Sequence, residues 1–300
     1  MPRQPETATA CGAPEKAGRR VDYPELCAIA FDHRVQLERL ADRLGQPRTR
    51  IPAFKSLIYR AGRQAFGHDR AFGILLDDRY GGEVLDAAAG QGHWVARPVE
   101  LPERQPLEFE HGPDIAATLR QWPIDQVAKC LVYQHPDDSE TLQLAQERQL
   151  GLLLDACQAA GRELLIEVIP DKQRPGDAAA VTAIMRRYYA LGLRPDWWKL
   201  AAPESEAGWR LIAATIREGD PHCRGVVLLG LDAPEAELAA TFALAGRQPI
   251  CKGFAIGRSI FFKTAEDWLA GGIDDAAAVD RIAASYGRLI DAWRGARAAA

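Results

Sequence analysis

Residues 163–201 read ELLIEVIPDKQRPGDAAAVTAIMRRYYALGLRPDWWKLA. The segment opens on an apolar run, ELLIEVI at 163–169, and closes on another, DWWKLA at 196–201. Between them, Ala178 to Leu191 carries its apolar residues at helical spacing. A strand, a helix and a second strand in that order form a βαβ unit, whose two strands run parallel. Both runs are apolar nearly throughout rather than alternating, the pattern of strands covered on both faces.

The same grammar repeats in both directions. Further strand-like runs are LCAIAF (26–31), AFGILL (71–76), HWVAR (93–97), QVAKCLVY (126–133), GVVLLG (225–230) and KGFAIG (252–257), which makes eight in all. Helical stretches separate them at 50–66, Ser139 to Ala160, Ser205 to Arg217 and Pro234 to Ala245, with a last one at 274–297. Ser139 is placed to cap its helix and Gly161 to stop it. Eight βα units predict an α/β chain closed as a (β/α)8 TIM barrel. An open doubly wound sheet is the alternative, but no GxGxxG follows an early strand. The barrel is expected as one domain over 21–300, behind a disordered tail at 1–20 that is rich in Pro, Ala, Thr, Arg and Glu.

Bulk properties narrow the function. The chain has 300 residues, 47% hydrophobic and 26% charged, with a net charge of −4. That balance argues against a general nucleic-acid binder. Six cysteines without a CxxC pair read as free thiols. The N-terminus lacks the apolar stretch of a signal peptide, and no run approaches a membrane span, so a cytoplasmic protein is expected. The six histidines show no HxH or HExxH spacing, so no metal is expected, although His33 and His135 fall in strand-end loops. The tryptophans are read as packing residues.

The informative positions are charges inside or just after apolar strands. Asp32 and Arg34 follow the first strand, and Asp77 and Asp78 the second. Lys129 interrupts the fourth, Glu167 the fifth and Lys199 the sixth. A charge in a parallel sheet is costly to bury unless paired or used. Strand side chains alternate, so Trp197, Lys199 and Ala201 share one face and Trp198 and Leu200 the other. With the helix-facing layer apolar, Lys199, Lys129 and Glu167 should point into the lumen, where Asp32 would bring two cations and two carboxylates into balance. All lie toward the carboxyl ends of strands, where barrels build active sites. A plain core salt-bridge network is the alternative, but buried ion pairs are weak stabilisers.

This set suits amine catalysis. An amine beside a second cation in a partly desolvated pocket is more readily neutral and nucleophilic, and Lys129 is the expected cation beside Lys199. A nearby glutamate, Glu167, can shuttle protons. The resulting iminium withdraws electrons from a neighbouring C–C bond, which is retro-aldol chemistry without metal or cofactor. GFAIGRS at 253–259 adds a second signal: Gly257 permits close backbone approach, Arg258 supplies a charge, and a helix begins at once, as at barrel phosphate sites.

IPAFKSLIYRAG followed by FGILLDDRYGG resembles the region of class I tagatose-1,6-bisphosphate aldolases that leads into their second strand. FDHR, VAKCLVYQHPDD, LLIEVIP, DWWKLAAPE and GFAIGRSIFF follow in that family's order, over about residues 24 to 270. AFDHR, HWVARPVELPERQPLEFE, KCLVYQHPDD and FAIGRSIF resemble more closely the aldolase-like domain (DUF2090) found fused behind 5-dehydro-2-deoxygluconokinase in bacterial inositol catabolism. The resemblance implies a Schiff-base lysine at Lys199, an acid/base glutamate at Glu167, further pocket charges at Asp32 and Lys129, and a phosphate turn at Gly257 and Arg258. Lys129, Arg34 or His33 would meet a carboxylate end. It departs at Asp32-His33-Arg34, where the bisphosphate branch has DQR, and in LLGLDAP at the seventh strand. The implied reaction cleaves 5-dehydro-2-deoxy-6-phosphogluconate to dihydroxyacetone phosphate and malonate semialdehyde. The rivals are an aldolase for another ketose phosphate, such as tagatose 1,6-bisphosphate or a sulfosugar phosphate, and a non-catalytic sugar-phosphate-binding barrel. The expected partner is a small phosphorylated keto-sugar acid, not nucleic acid or membrane, with a homo-oligomer left open.

Overall fold

A computed structural model of the chain describes residues 21–67, 69–170 and 172–300. The tail expected at 1–20, with Cys11, and His68 lie outside these residues. Strand and helix alternate in chain order: β1 (Leu26–Ala30), α1 (Arg34–Arg43), α2 (Ile51–Phe66), β2 (Phe72–Leu75), α3 (Asp78–Ala88), β3 (Trp94–Pro98), α4 (Ile115–Gln121), β4 (Gln126–Tyr133), α5 (Glu140–Ala159), β5 (Leu164–Ile169), α6 (Ala178–Ala190), β6 (Trp197–Leu200), α7 (Glu206–Gly219), β7 (Gly225–Leu228), α8 (Glu235–Ala245), β8 (Cys251–Ile256), α9 (Arg258–Leu269) and α10 (Asp275–Ala298). The strands pair in sequence order, all parallel, and β8 returns to β1. The fold is a closed (β/α)8 barrel.

Local chemistry sets the element ends. Ser139 accepts a hydrogen bond from the Leu142 amide at 3.3 Å, and Ser205 one from the Gly208 amide at 3.1 Å, which satisfies orphan donors at the starts of α5 and α7. Gly161, after α5, takes a left-handed φ of 62°, a conformation that costs glycine little.

Strand alternation sorts the core into two shells. Trp198, Leu200, Ile166, Val168 and Cys130 face outward into the main layer beneath the helices. Leu26, Ala28, Ala30, Trp94, Ala96, Val127, Leu165, Trp197, Val227 and Ala255 face inward and fill the lower lumen. Trp94 and Trp197 meet edge to face, ring centroids 6.1 Å apart, and floor it. Ile169, Ala201 and Leu229 form a separate apolar patch farther along the strands. The five cysteines among the described residues are free, and all but Cys223 are buried. Among the described residues no helix is long and apolar enough to cross a membrane.

Candidate active site

The inward parity of each strand carries into one cavity. On β4 the inward row runs Val127, Lys129, Leu131; on β5 Leu165, Glu167, Ile169; on β6 Trp197, Lys199, Ala201. The β1 row, Leu26, Ala28, Ala30, extends two residues past the strand to Asp32. Parallel register sets Glu167 directly beside Lys199. Lys129, Glu167, Lys199, Asp32, His33, Arg34, Gly257 and Arg258 all line this cavity of about 140 Å³, so all eight residues expected from sequence are brought together.

The centre is a chain of ion pairs. Glu167 Oε1 lies 3.1 Å from Lys199 Nζ, and its Oε2 lies 3.0 Å from Lys129 Nζ. Lys129 also reaches Glu100 Oε1 at 2.7 Å and Asp32 Oδ2 at 3.3 Å. Lys199 is 5% exposed, so its pairing takes place largely out of water. Burial alone would raise the Glu167 carboxyl, but Lys129 and then Lys199 hold it below its ordinary range. Asp32 is likewise held well below its usual range, burial being overcome by Lys129, His33, Lys199 and Arg34. Both are therefore carboxylates at neutral pH. For Lys129, burial is outweighed by Glu100, Glu167 and Asp32, and its ammonium is held firmly charged.

Three expectations change here. Glu100, which the sequence reading missed, adds a third carboxylate to a set expected to balance at two and two. Lys129 is not a bare cation pressing on Lys199, because three carboxylates share its charge. Arg34 is buried and committed to the Glu110 carboxylate, with Nη2 donating to the Glu100 carbonyl at 3.1 Å, so it lines the cavity without a free charge to offer. A findable signal for Glu100 did exist: Trp94, Ala96, Pro98 and Glu100 share one parity, and Glu100 stands two residues past β3 as Asp32 stands two past β1.

The β7 and β8 ends form the other wall. Gly257 caps α9, and a Cβ there would fall 2.0 Å from the Ala30 carbonyl oxygen and 2.6 Å from the His33 ring. Glycine is required for space, since its φ of −126° is open to any residue. The first amides of α9 start beside the cavity, the usual place for anion recognition. Arg258 is 3.4 Å from Asp232 Oδ2. Asp232 and its neighbour Leu231 hold left-handed φ values of 67° and 48°, a strain that clusters at functional loops. The other singled-out charges turn elsewhere. Asp77 pairs with Lys55 and caps α3, Asp78 binds Arg97 and His111, and His135 holds its own loop through Asp137 and Asp138.

The fold and this cavity define a (β/α)8 barrel protein with a lysine–carboxylate cluster at the carboxyl end of its strands. The chain belongs to the DUF2090 family, described as an uncharacterized protein conserved in bacteria, whose profile matches residues 15–297. No curated protein sequence matches it. Among solved structures it is similar to fructose-bisphosphate aldolase from Plasmodium falciparum, solved in complex with TRAP and a small-molecule inhibitor. The TM-score is 0.63 at 13% identity, over 89% of this chain and 90% of that one. At that identity the likeness speaks for the barrel alone.

Proposed function

We propose that the protein is a class I aldolase that forms a Schiff base through Lys199. The observation that carries this reading is the Lys199–Glu167 contact of 3.1 Å inside the cavity, beside the Gly257–Arg258 turn. The resemblance of the ordered motifs to class I aldolases supports it, and a barrel shared with an aldolase is consistent with it. The proposed substrate is 5-dehydro-2-deoxy-6-phosphogluconate. Its phosphate meets the α9 amides and Arg258, and its C5 ketone meets the amine.

Lys199 gives a proton to the Glu167 carboxylate 3.1 Å away and attacks C5 as the neutral amine. Glu167 passes a proton to the carbinolamine hydroxyl, which leaves as water. The iminium then draws the C3–C4 bonding pair into an enamine as the C3 hydroxyl gives its proton to a carboxylate. Malonate semialdehyde departs. Protonation at C4 and hydrolysis release dihydroxyacetone phosphate and restore the amine. The Trp94–Trp197 floor closes the lumen below and limits water around these charges.

The test is borohydride trapping with dihydroxyacetone phosphate, followed by peptide mass spectrometry. The reduced adduct is expected on Lys199. Lys199→Ala should abolish trapping and lower kcat by roughly four orders of magnitude or more, the scale of losing a covalent nucleophile. Full cleavage activity in Lys199→Ala would end the proposal.

A further inference from the structure

The cluster around Lys129 does not balance. Lys129 and Lys199 face three carboxylates, Asp32, Glu100 and Glu167, and none of the five side chains is more than 10% exposed. Of the nearby cations, Arg34 is spent on Glu110, and Arg258 stands at the Gly257 turn beside Asp232 with no ion pair to the three clustered carboxylates. A phosphorylated substrate adds negative charge to a site that already has one carboxylate in excess. Uncompensated buried charge is costly, and proton uptake is the ordinary way to remove it.

One carboxyl is built to take that proton. Glu100 is 4% exposed and lines the cavity. Its Oε1 accepts from Lys129 Nζ at 2.7 Å, while its Oε2 is buried without a hydrogen-bond partner among the described residues. A lone carboxylate oxygen in that setting is expensive, whereas a carboxylic O–H aimed at a ligand oxygen is satisfied. The groups facing Glu100 are Lys129 and Tyr133 from β4, Asp32 from the β1 end, Arg34 from α1 and Glu167 from β5, with Glu110 behind Arg34 and the outward-facing Cys130 thiol on the far side of β4. Burial raises the Glu100 carboxyl despite Lys129, whereas Asp32 and Glu167 are lowered. The barrel order sets β3 and β4 across the ring from β7 and β8, so a substrate held by phosphate at Gly257 and bonded to Lys199 extends its remaining oxygens toward Glu100.

We propose that Glu100 is a further substrate-contacting residue, which carries a proton on Oε2 when a phosphorylated substrate occupies the cavity and donates that hydrogen to a substrate oxygen. This rests on the aldolase reading for the ligand's identity. With Glu100 neutral, Lys129 and Lys199 stand against Asp32 and Glu167, two against two. At the end of the substrate away from phosphate, a carboxylic acid can donate to a carboxylate or a hydroxyl that an ionised glutamate would repel.

Calorimetric titration of the full chain with dihydroxyacetone phosphate, in buffers of differing ionisation heat at one pH, measures the protons taken up. Iminium formation from an ammonium and a ketone leaves the proton count unchanged, so the difference between wild type and Glu100→Gln reports Glu100. Wild type should take up about one proton more per ligand than the variant near neutral pH. Equal uptake overturns the proposal. Infrared difference spectra of wild type, with side-chain carboxyl carbons isotopically labelled, need no variant: a protonated carboxyl band should appear on binding, and its absence overturns the proposal. Borohydride is added to the same samples. Binding without an adduct at Lys199 removes the Schiff-base reading and leaves the Glu100 comparison decisive, while failure to bind dihydroxyacetone phosphate removes both.

Discussion

At the scale of single residues, His33 shows how the cavity tunes a group. Burial is the largest influence on its imidazole; Asp32 opposes it, Arg258, Lys199 and Lys55 reinforce it, and the pKa falls to about 4. An unfolded imidazole titrates near 6.5. Between about pH 6.5 and 4 the unfolded chain therefore binds a proton that the folded chain refuses. Stability from this residue is complete above that window and is lost as pH falls through it, with a slope of at most about 1.4 kcal/mol per pH unit. Asp32 has the opposite origin but the same direction. Its lowered carboxyl stabilises the fold above the ordinary carboxylate range and loses that effect only below about pH 4. Thermal unfolding from pH 7 to pH 4 should show a decline that His33→Asn flattens; an unchanged slope in the variant would refute the assignment. His33 stood out in the sequence only as a loop histidine. Lys129, Glu167 and Lys199 were legible because charge interrupts an apolar strand, and alternation then gave their direction. Glu100 was hidden because VELPERQPLEFE carries four glutamates and no continuous apolar run, so a single glutamate there carries no contrast.

At the scale of elements, the strands and most helices were readable because their hydrophobic periods are long and their caps explicit. The Ile51–Phe66 helix and the Ser139 cap came out where the pattern put them. Short helices escaped: α1 is mostly polar, and α4 spans seven residues. Pairings between elements escaped too, because periodicity says which face is buried and not what it meets. Lys55 is the instructive case. It sits on α2 in an apolar context, is fully buried, and pairs with Asp77, whose other oxygen accepts from the Tyr80 amide at 3.0 Å to cap α3. One carboxylate thus joins α2 to the β2–α3 turn. Asp77→Ala removes the cap and strands a buried cation, which should cost about 3–5 kcal/mol. Adding Lys55→Met in the same chain should recover most of that loss, because the stranded charge disappears. Denaturant melts of both variants and the double variant decide it; a double variant no more stable than Asp77→Ala would show that the cap alone matters.

At the scale of the whole molecule, the site depends on closing the ring. Lys199, Glu167 and Lys129 lie on consecutive strands and would be neighbours even in an open sheet. Gly257 and Arg258 reach Asp32 and His33 only because β8 pairs with β1, in a register that sets Ile256 beside Ile29 and Gly253 beside Leu26. Gly253 makes that approach possible. Its φ is 148°, and a Cβ there would stand 1.8 Å from the Leu26 carbonyl oxygen, against rigid backbone rather than a movable side chain. Gly253→Ala should therefore wedge the closing seam. Overpacking of this kind costs about 1–3 kcal/mol, and backbone strain adds to it. The Gly257–Arg258 turn should be displaced from the Lys199–Glu167 pair at the same time. Hydrogen exchange should locate the damage in β1 and β8, with faster exchange there than in β4 to β6. Phosphate-bearing ligands should bind more weakly, while the Lys199–Glu167 pair across β5 and β6 keeps its register. Uniform loss of protection around all eight strands would contradict a local seam, and unchanged protection in β1 and β8 would show that the ring tolerates the added methyl.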